Sequence, residues 1–248
     1  MNKMKTLITL ALVCFFVTTL NAQVKKPAVK KAPAKTVTNK RIATTRKKVI
    51  PIPGIRVKVT TDSGVMVIRL YDKTPLHRDN FIKLAKEHFF DSLIFHRIIQ
   101  GFMIQGGDPQ SKYAQPGQRL GMGDVGYTIP AEFDTSFIHK KGALAAARMP
   151  DQVNPAKASS GCQFYIVQGA KLSDAELNMW EMRKGIKYSA QQRSIYKTIG
   201  GTPLLDMDYT IFGEVESGLA VVDKVAGVNK DVNDRPLGNV RMRIEVIK

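Results

Sequence analysis

Phe95-His96-Arg97-Ile98-Ile99-Gln100-Gly101-Phe102-Met103-Ile104-Gln105-Gly106-Gly107-Asp108 is the stretch on which the reading of this chain turns. Two β-rich runs flank Gly101. In an extended run alternate side chains share a face, so Arg97 and Ile99 point the same way. A glycine-marked bend then brings in Phe102, Met103 and Gln105. A cation, an aromatic ring, a thioether and a carboxamide can thus converge on one concave surface. A plainer reading fits the same residues: Phe95, Ile98, Phe102 and Met103 are core, and Arg97 snorkels outward. Taken alone, the physics of the stretch leaves both open.

Working outward, Ile55-Arg56-Val57-Lys58-Val59 and Val65-Met66-Val67-Ile68-Arg69-Leu70 are β-rich, and Thr61-Asp62-Ser63-Gly64 between them predicts a hairpin. Thr74 is the expected cap of a helix with Pro75 at its first position. Leu76, Phe81, Ile82, Leu84 and Ala85 follow at helical spacing up to about Lys86. Further β-rich runs fall at 93–99, 102–105, 143–147, 163–167, 209–212 and 240–247. A second framework helix is expected over 218–226. Between the two lies a helical insertion at about 170–201. Ser173 with Glu176 is a capping box that opens one helix to about Lys184, and a second over 190–199 stops at Gly200-Gly201. Many short strands with two framework helices predict a mainly β fold, an antiparallel barrel. Whether the insertion folds against the barrel or stands away from it stays open.

The 248 residues carry 38 Lys and Arg against 21 Asp and Glu, a formal net charge of +17. That excess is local. Residues 1–61 hold fourteen Lys and Arg and no carboxylate, so residues 62–248 carry a net of only +3. No nucleic-acid partner is therefore expected of the folded part. Lys3 and Lys5, the apolar run from Leu7 to Leu20, and Leu20-Asn21-Ala22 before Gln23 have the layout of a signal peptide over residues 1–22. Export to the periplasm or cell envelope is the expectation. Residues 23–53 are rich in Lys, Ala, Pro and Thr and have no aromatic residue. They are expected to form a basic disordered linker, either a solvated spacer or a tether to an anionic surface. One monomeric domain should occupy 54–248. Cleavage would leave Cys162 as its single cysteine, read as a small buried apolar residue.

Several chemistries find no support. His77, His88, His96 and His139 lack Cys or carboxylate partners at metal-ligand spacing. The glycines are not followed by the Lys-Ser/Thr of a phosphate-binding loop, and no Ser lies in a nucleophile elbow. Metal, nucleotide and covalent mechanisms are disfavoured, and no cofactor is expected.

FHRIIQGFMIQGGD resembles the signature segment of the cyclophilins, and the likeness runs over roughly residues 55–248. Gly161-Cys162-Gln163-Phe164-Tyr165-Ile166 resembles the family's G-S-Q-F-F-I segment. Leu204-Leu205-Asp206-Met207-Asp208-Tyr209-Thr210-Ile211-Phe212-Gly213 resembles its W-L-D-G-K-H-V-V-F-G segment. The resemblance implies a closed eight-stranded antiparallel barrel with two capping helices. It also implies peptidyl-prolyl cis-trans isomerase activity on proline-containing segments of exported proteins. By motif position Arg97 would be the catalytic arginine, assisted by Gln105. Phe102, Met103 and Tyr165 would line the proline pocket beside Leu205, with Ala147 on its rim. Gln105 and Gln163 would contact the substrate backbone. The chain departs from the family pattern at four substrate-facing positions. Leu204 replaces a tryptophan, Tyr209 a histidine, Tyr165 a phenylalanine and Arg148 a backbone-binding asparagine. These changes keep a second reading in play, that of a non-catalytic cyclophilin-fold chaperone or peptide-binding module.

Overall fold

The structure, a computed structural model, describes residues 54–247. The expected signal peptide and basic linker lie outside those residues.

The hairpin forms as read. β1 (Arg56–Thr61) and β2 (Gly64–Leu70) pair antiparallel with Thr61 opposite Gly64. Period-2 alternation buries Val57 and Val59 on one strand and Met66, Ile68 and Leu70 on the other. Helix α1 (Pro75–Lys86) follows, burying Phe81, Ile82, Leu84 and Ala85. Thr74 makes no side-chain cap bond, contrary to expectation. Instead Glu132 accepts from the backbone N–H groups of Leu76 (3.1 Å) and His77 (3.0 Å). A carboxylate distant in sequence satisfies the free donors that the local hydroxyl does not, and its charge suits the helix N-terminus.

The remaining strands are β3 (Arg97–Ile99), β4 (Met103–Gly106), β5 (Thr128–Ile129), β6 (Ala143–Ala146), β7 (Ser159–Ser160), β8 (Phe164–Val167), β9 (Ile211–Ser217) and β10 (Met242–Ile247). Eight of them form one antiparallel sheet in the order β10-β1-β2-β9-β6-β8-β4-β3, while β5 pairs with β7 alone. The sheet is open, a half-barrel, where a closed barrel was expected. β3 and β10 are its edges, joined across the seam only by the isolated bridge Ile94↔Arg241 and flanking bonds such as Phe95 N–H to the Val240 carbonyl (3.0 Å). The cause is local. His88 and Ser92 hold positive φ of 56° and 69°, so the chain turns where strand was expected from residue 93.

Helix α1 packs on β10 and β9. Phe164 of β8 lies edge-on to three rings: Phe81 (5.4 Å), Phe90 (5.6 Å) and Phe95 (6.2 Å). Cys162 is buried as read, and burial pushes its thiol up to about 11.

The insertion folds into α2 (Asp174–Lys184) and α3 (Ala190–Thr198), opened by the capping boxes Ser173/Glu176 and Ser189/Gln192. It folds against the loop that leads into β6 and against the 3₁₀ turn Pro203–Leu205. Leu177, Tyr188 and Tyr196 share a small core with Ile138, and Gly201 bridges both Lys140 and Ala170. The second framework helix is α4 (Leu219–Ala226), packed on β2, β3 and β4.

β6 and β8 are buried on both faces. Leu144, Ala146, Phe164 and Ile166 belong to the main core. Ala143, Ala145, Tyr165 and Val167 belong to a second cluster with Met103, Leu205 and Ile211. That second, outward apolar face carries the site.

Candidate active site

Strand register assembles the site. Arg97 on β3 stands opposite Gln105 on β4, Gln105 opposite Tyr165 on β8, and Tyr165 opposite Ala145 on β6. A guanidinium, a carboxamide and a phenol therefore occupy one cross-strand row, where directly opposed Cβ atoms lie about 5 Å apart. Ile99, Met103 and Val167 form a neighbouring row. Phe102 joins from the bend, its N–H bonded to the Ile99 carbonyl (3.0 Å) and its own carbonyl accepting from the N–H groups of Gln168 and Gly169 (both 3.0 Å).

Arg97, Phe102, Met103, Gln105, Ala147, Arg148, Tyr165, Leu205 and Tyr209 line one cavity of about 420 Å³. Both readings of the opening stretch thus hold in part: Phe95 and Ile98 are core, whereas Arg97, Phe102 and Met103 border the cavity. Arg97 is exposed, and its Nη1 makes a long 3.4 Å contact with Gln105 Oε1. Gln105 Nε2 donates to Gln163 Oε1 (3.1 Å). Gln163 Nε2 in turn donates to the carbonyls of Gly121 (3.1 Å) and Gly123 (2.7 Å). This one-way chain fixes both carboxamides and turns the Gln105 oxygen toward Arg97. Gln163 itself lines an adjoining cavity of about 530 Å³ that shares Gln105, Ala147 and Arg148 with the first.

Two expected positions differ. Leu204 lines neither cavity and is 47% exposed, because the 3₁₀ turn Pro203–Leu205 directs Leu205 inward instead. Arg148 borders the cavity, but its Nε and Nη1 donors are engaged. Nε bonds the Asp208 carbonyl (2.6 Å), and Nη1 bonds the Met149 carbonyl (2.9 Å) and Asp151 (2.6 Å). Its guanidinium lies 4.6 Å from the Tyr209 ring centroid, so it props up that ring.

The cavity also has walls that motif reading missed, among them Arg119, Asp234 and Arg235. Asp108, fully buried, shapes one wall: its carboxylate accepts from the N–H groups of Gln110 (2.8 Å) and Gly121 (2.5 Å). Arg235 donates to the Gln118 carbonyl in the same loop. The only sequence signal was Asp108 itself, at the end of the quoted stretch.

His96 borders the cavity at 3% exposure, and neither ring nitrogen has a protein hydrogen-bond partner. Burial is the main cause that brings its pKa down to about 4. Arg97 and Arg235 act in the same direction, and Asp108 opposes them. The unfolded imidazole titrates near 6.5. Between those values the unfolded chain binds the extra proton. This stabilisation is therefore complete above about pH 6.5 and is lost as pH falls toward 4, by about 3 kcal/mol. His77 shifts in the same direction, burial outweighing Glu132. Urea unfolding at pH 7.5 and pH 4 should show His96→Gln losing about 3 kcal/mol less than wild type. Equal losses would remove His96 as the cause.

The family model for cyclophilin-type peptidyl-prolyl cis-trans isomerases matches residues 56–246. A Streptococcus pyogenes protein named as a bifunctional phosphatase/peptidyl-prolyl cis-trans isomerase is 36% identical over 190 residues, 75% of this chain and 37% of that one. A Staphylococcus haemolyticus protein named as a peptidyl-prolyl cis-trans isomerase is 31% identical over 190 residues, 75% of this chain and 87% of its own length. In fold the chain is similar to a Cryptosporidium parvum cyclophilin (TM-score 0.57, 20% identity), covering 78% of this chain and 98% of that one. The signature row of β3 and β4 thus lies inside a matched domain that spans most of the sequence, and the chain belongs to the family of cyclophilin-type peptidyl-prolyl cis-trans isomerases.

Proposed function

We propose that the cavity is the proline site of an isomerase that acts on X-Pro bonds in exported polypeptides, with Arg97 as its catalytic residue. The observation that carries this reading is the polar pair Arg97–Gln105 set beside the apolar wall of Phe102, Met103, Tyr165 and Leu205.

The chemistry follows from the amide. Partial double-bond character puts a barrier of about 18–20 kcal/mol in the way of rotation, and an X-Pro bond left alone takes on the order of tens to hundreds of seconds to turn. Rotation pyramidalises the proline nitrogen, and its lone pair becomes a hydrogen-bond acceptor. A guanidinium at that nitrogen stabilises the twisted amide more than the planar one, which is the condition for acceleration. The apolar wall grips the ring. Gln105, oriented by Gln163, holds the neighbouring backbone while the other side turns. No bond is broken and no proton need move.

The test is the cis-to-trans rate of a short X-Pro peptide with the full chain present. Acceleration proportional to protein supports the reading. Peptide binding without acceleration overturns it in favour of a binding module. The export part stands on residues 1–22 and is tested by cell fractionation with N-terminal sequencing. A chain beginning at Gln23 in the envelope fraction is expected; a chain keeping residues 1–22 in the cytoplasm refutes export.

A further inference from the structure

The insertion is joined to the pocket by an unbroken buried hydrogen-bond chain. Tyr188 and Tyr196, both from the insertion, donate their hydroxyls to Asp206 Oδ2 at 2.6 Å and 2.5 Å. Asp206 Oδ1 accepts from the His139 backbone N–H and from His139 Nδ1, both at 2.8 Å. In the neutral ring that gives Nδ1–H to the carboxylate, Nε2 is the acceptor for the Tyr165 hydroxyl at 3.0 Å. Tyr196 and His139 are fully buried, Asp206 is 2% exposed and Tyr165 4%. Burial keeps all three phenols protonated, so each is a donor. The direction of every bond is therefore set by the carboxylate at the centre.

Ring packing extends the chain to the cavity rim. His139 stacks on Tyr165 (6.0 Å, 14°), Tyr165 meets Tyr209 edge-on (5.8 Å, 81°), and Arg148 covers Tyr209. A second tie runs in parallel. Lys184 of α2 pairs with Asp208, whose backbone carbonyl holds Arg148 Nε. Asp206 and Asp208 flank Met207, which holds a positive φ of 61°. Both lie in the short segment that brings Leu205 and Tyr209 to the cavity.

We propose that the helical insertion is a positioning element for the proline pocket, setting the orientation of Tyr165 through Asp206 and His139. This rests on the reading of Tyr165 as a wall of the proline site. Tyr188, Tyr196, Asp206 and His139 are positioning residues, since none of them lines the cavity. Packing in the second apolar cluster holds the Tyr165 ring, but only a partner for its hydroxyl fixes the direction in which the phenol is pinned. The buried chain supplies that partner before substrate arrives.

The test is a mutant cycle in the full chain, read in KM and kcat for a short X-Pro peptide and in the ¹⁵N spectrum of the His139 ring. Tyr188→Phe with Tyr196→Phe removes two donors and keeps both rings. It should raise KM about fivefold with kcat within about twofold, and turn the single Nδ1–H tautomer of His139 into a mixture. In a Tyr165→Phe background the same pair should leave KM unchanged, because the link is already cut. Ser173→Ala weakens α2 at its cap without touching the chain, so it should lower Tm and leave KM alone. An unchanged KM despite a lower Tm, or KM effects that multiply in the Tyr165→Phe background, would overturn the positioning role. The pocket reading fails differently: wild type would then show no peptide binding at all, and the proposal would fall with it.

Discussion

Replacing Arg97 with alanine is expected to lower kcat/KM for a short X-Pro peptide at least tenfold and to leave the fold intact. The residue is exposed on the edge strand β3, and its guanidinium makes only a long 3.4 Å approach to Gln105 Oε1. Its removal opens no core cavity, and a surface change of this kind shifts stability by about 0.5 kcal/mol or less. The catalytic cost is larger. A hydrogen bond from a charged donor contributes about 1.5–3 kcal/mol, and about 1.4 kcal/mol is a factor of ten in rate. Because that bond strengthens only as the proline nitrogen pyramidalises, the loss should fall on kcat, with KM set by the untouched wall of Phe102, Met103 and Leu205. Arg97→Lys keeps the charge on a different geometry and should recover only part of the rate. Steady-state rates and unfolding curves of the three proteins decide it. Wild-type turnover by the alanine variant would remove Arg97 from the mechanism.

Three of the cavity residues named from sequence have their neighbours set by strand register. Arg97, Gln105 and Tyr165 fall in one row because β3, β4 and β8 pair without a bulge, so period-2 alternation read along the chain carries over into space. The insertion helices were equally legible, the first announced by Ser173 with Glu176 and the second by its stop at Gly200-Gly201, while the box of Ser189 with Gln192 went unread. What failed to show depends on contacts across long separations. Glu132 caps α1 in place of Thr74, and Asp206 holds His139 from 67 residues away. The histidines were judged by spacing along the chain, yet His77 and His139 each have a carboxylate partner that spacing cannot display. β5 and β7 are two residues each, shorter than any periodicity can reveal. The open seam was hidden as well. Residues 93–96 are as apolar as a strand should be, but the turns at His88 and Ser92 keep them from extending β3. Leu204 and Leu205 are chemically alike, and only the 3₁₀ turn decides which one reaches the cavity.

Gly107 tests the opening stretch from the side of stability. It holds φ at +93°, a conformation that costs a residue with a Cβ roughly 1–2 kcal/mol. More decisive is its surroundings: a Cβ there would lie 2.1 Å from the Cys162 carbonyl oxygen and 2.9 Å from Gln163 Cα. Both are backbone atoms at the start of β8, so relief requires moving the strand that carries Gln163, Phe164 and Tyr165. Phe164 is the hub of the aromatic core, and Gln163 orients Gln105. Gly107→Ala is therefore expected to lower unfolding free energy by about 4 kcal/mol or more, and to reduce activity in whatever fraction stays folded. Gly101→Ala is the internal control. Its φ is also positive, at +76°, but nothing lies within 4 Å of the added methyl. It should cost only the conformational part, about 1–2 kcal/mol. Urea unfolding of both variants separates the two terms. Losses of similar size would mean that β8 yields without resistance, and the tight approach of Gly107 to Cys162 would no longer explain the third glycine of the stretch.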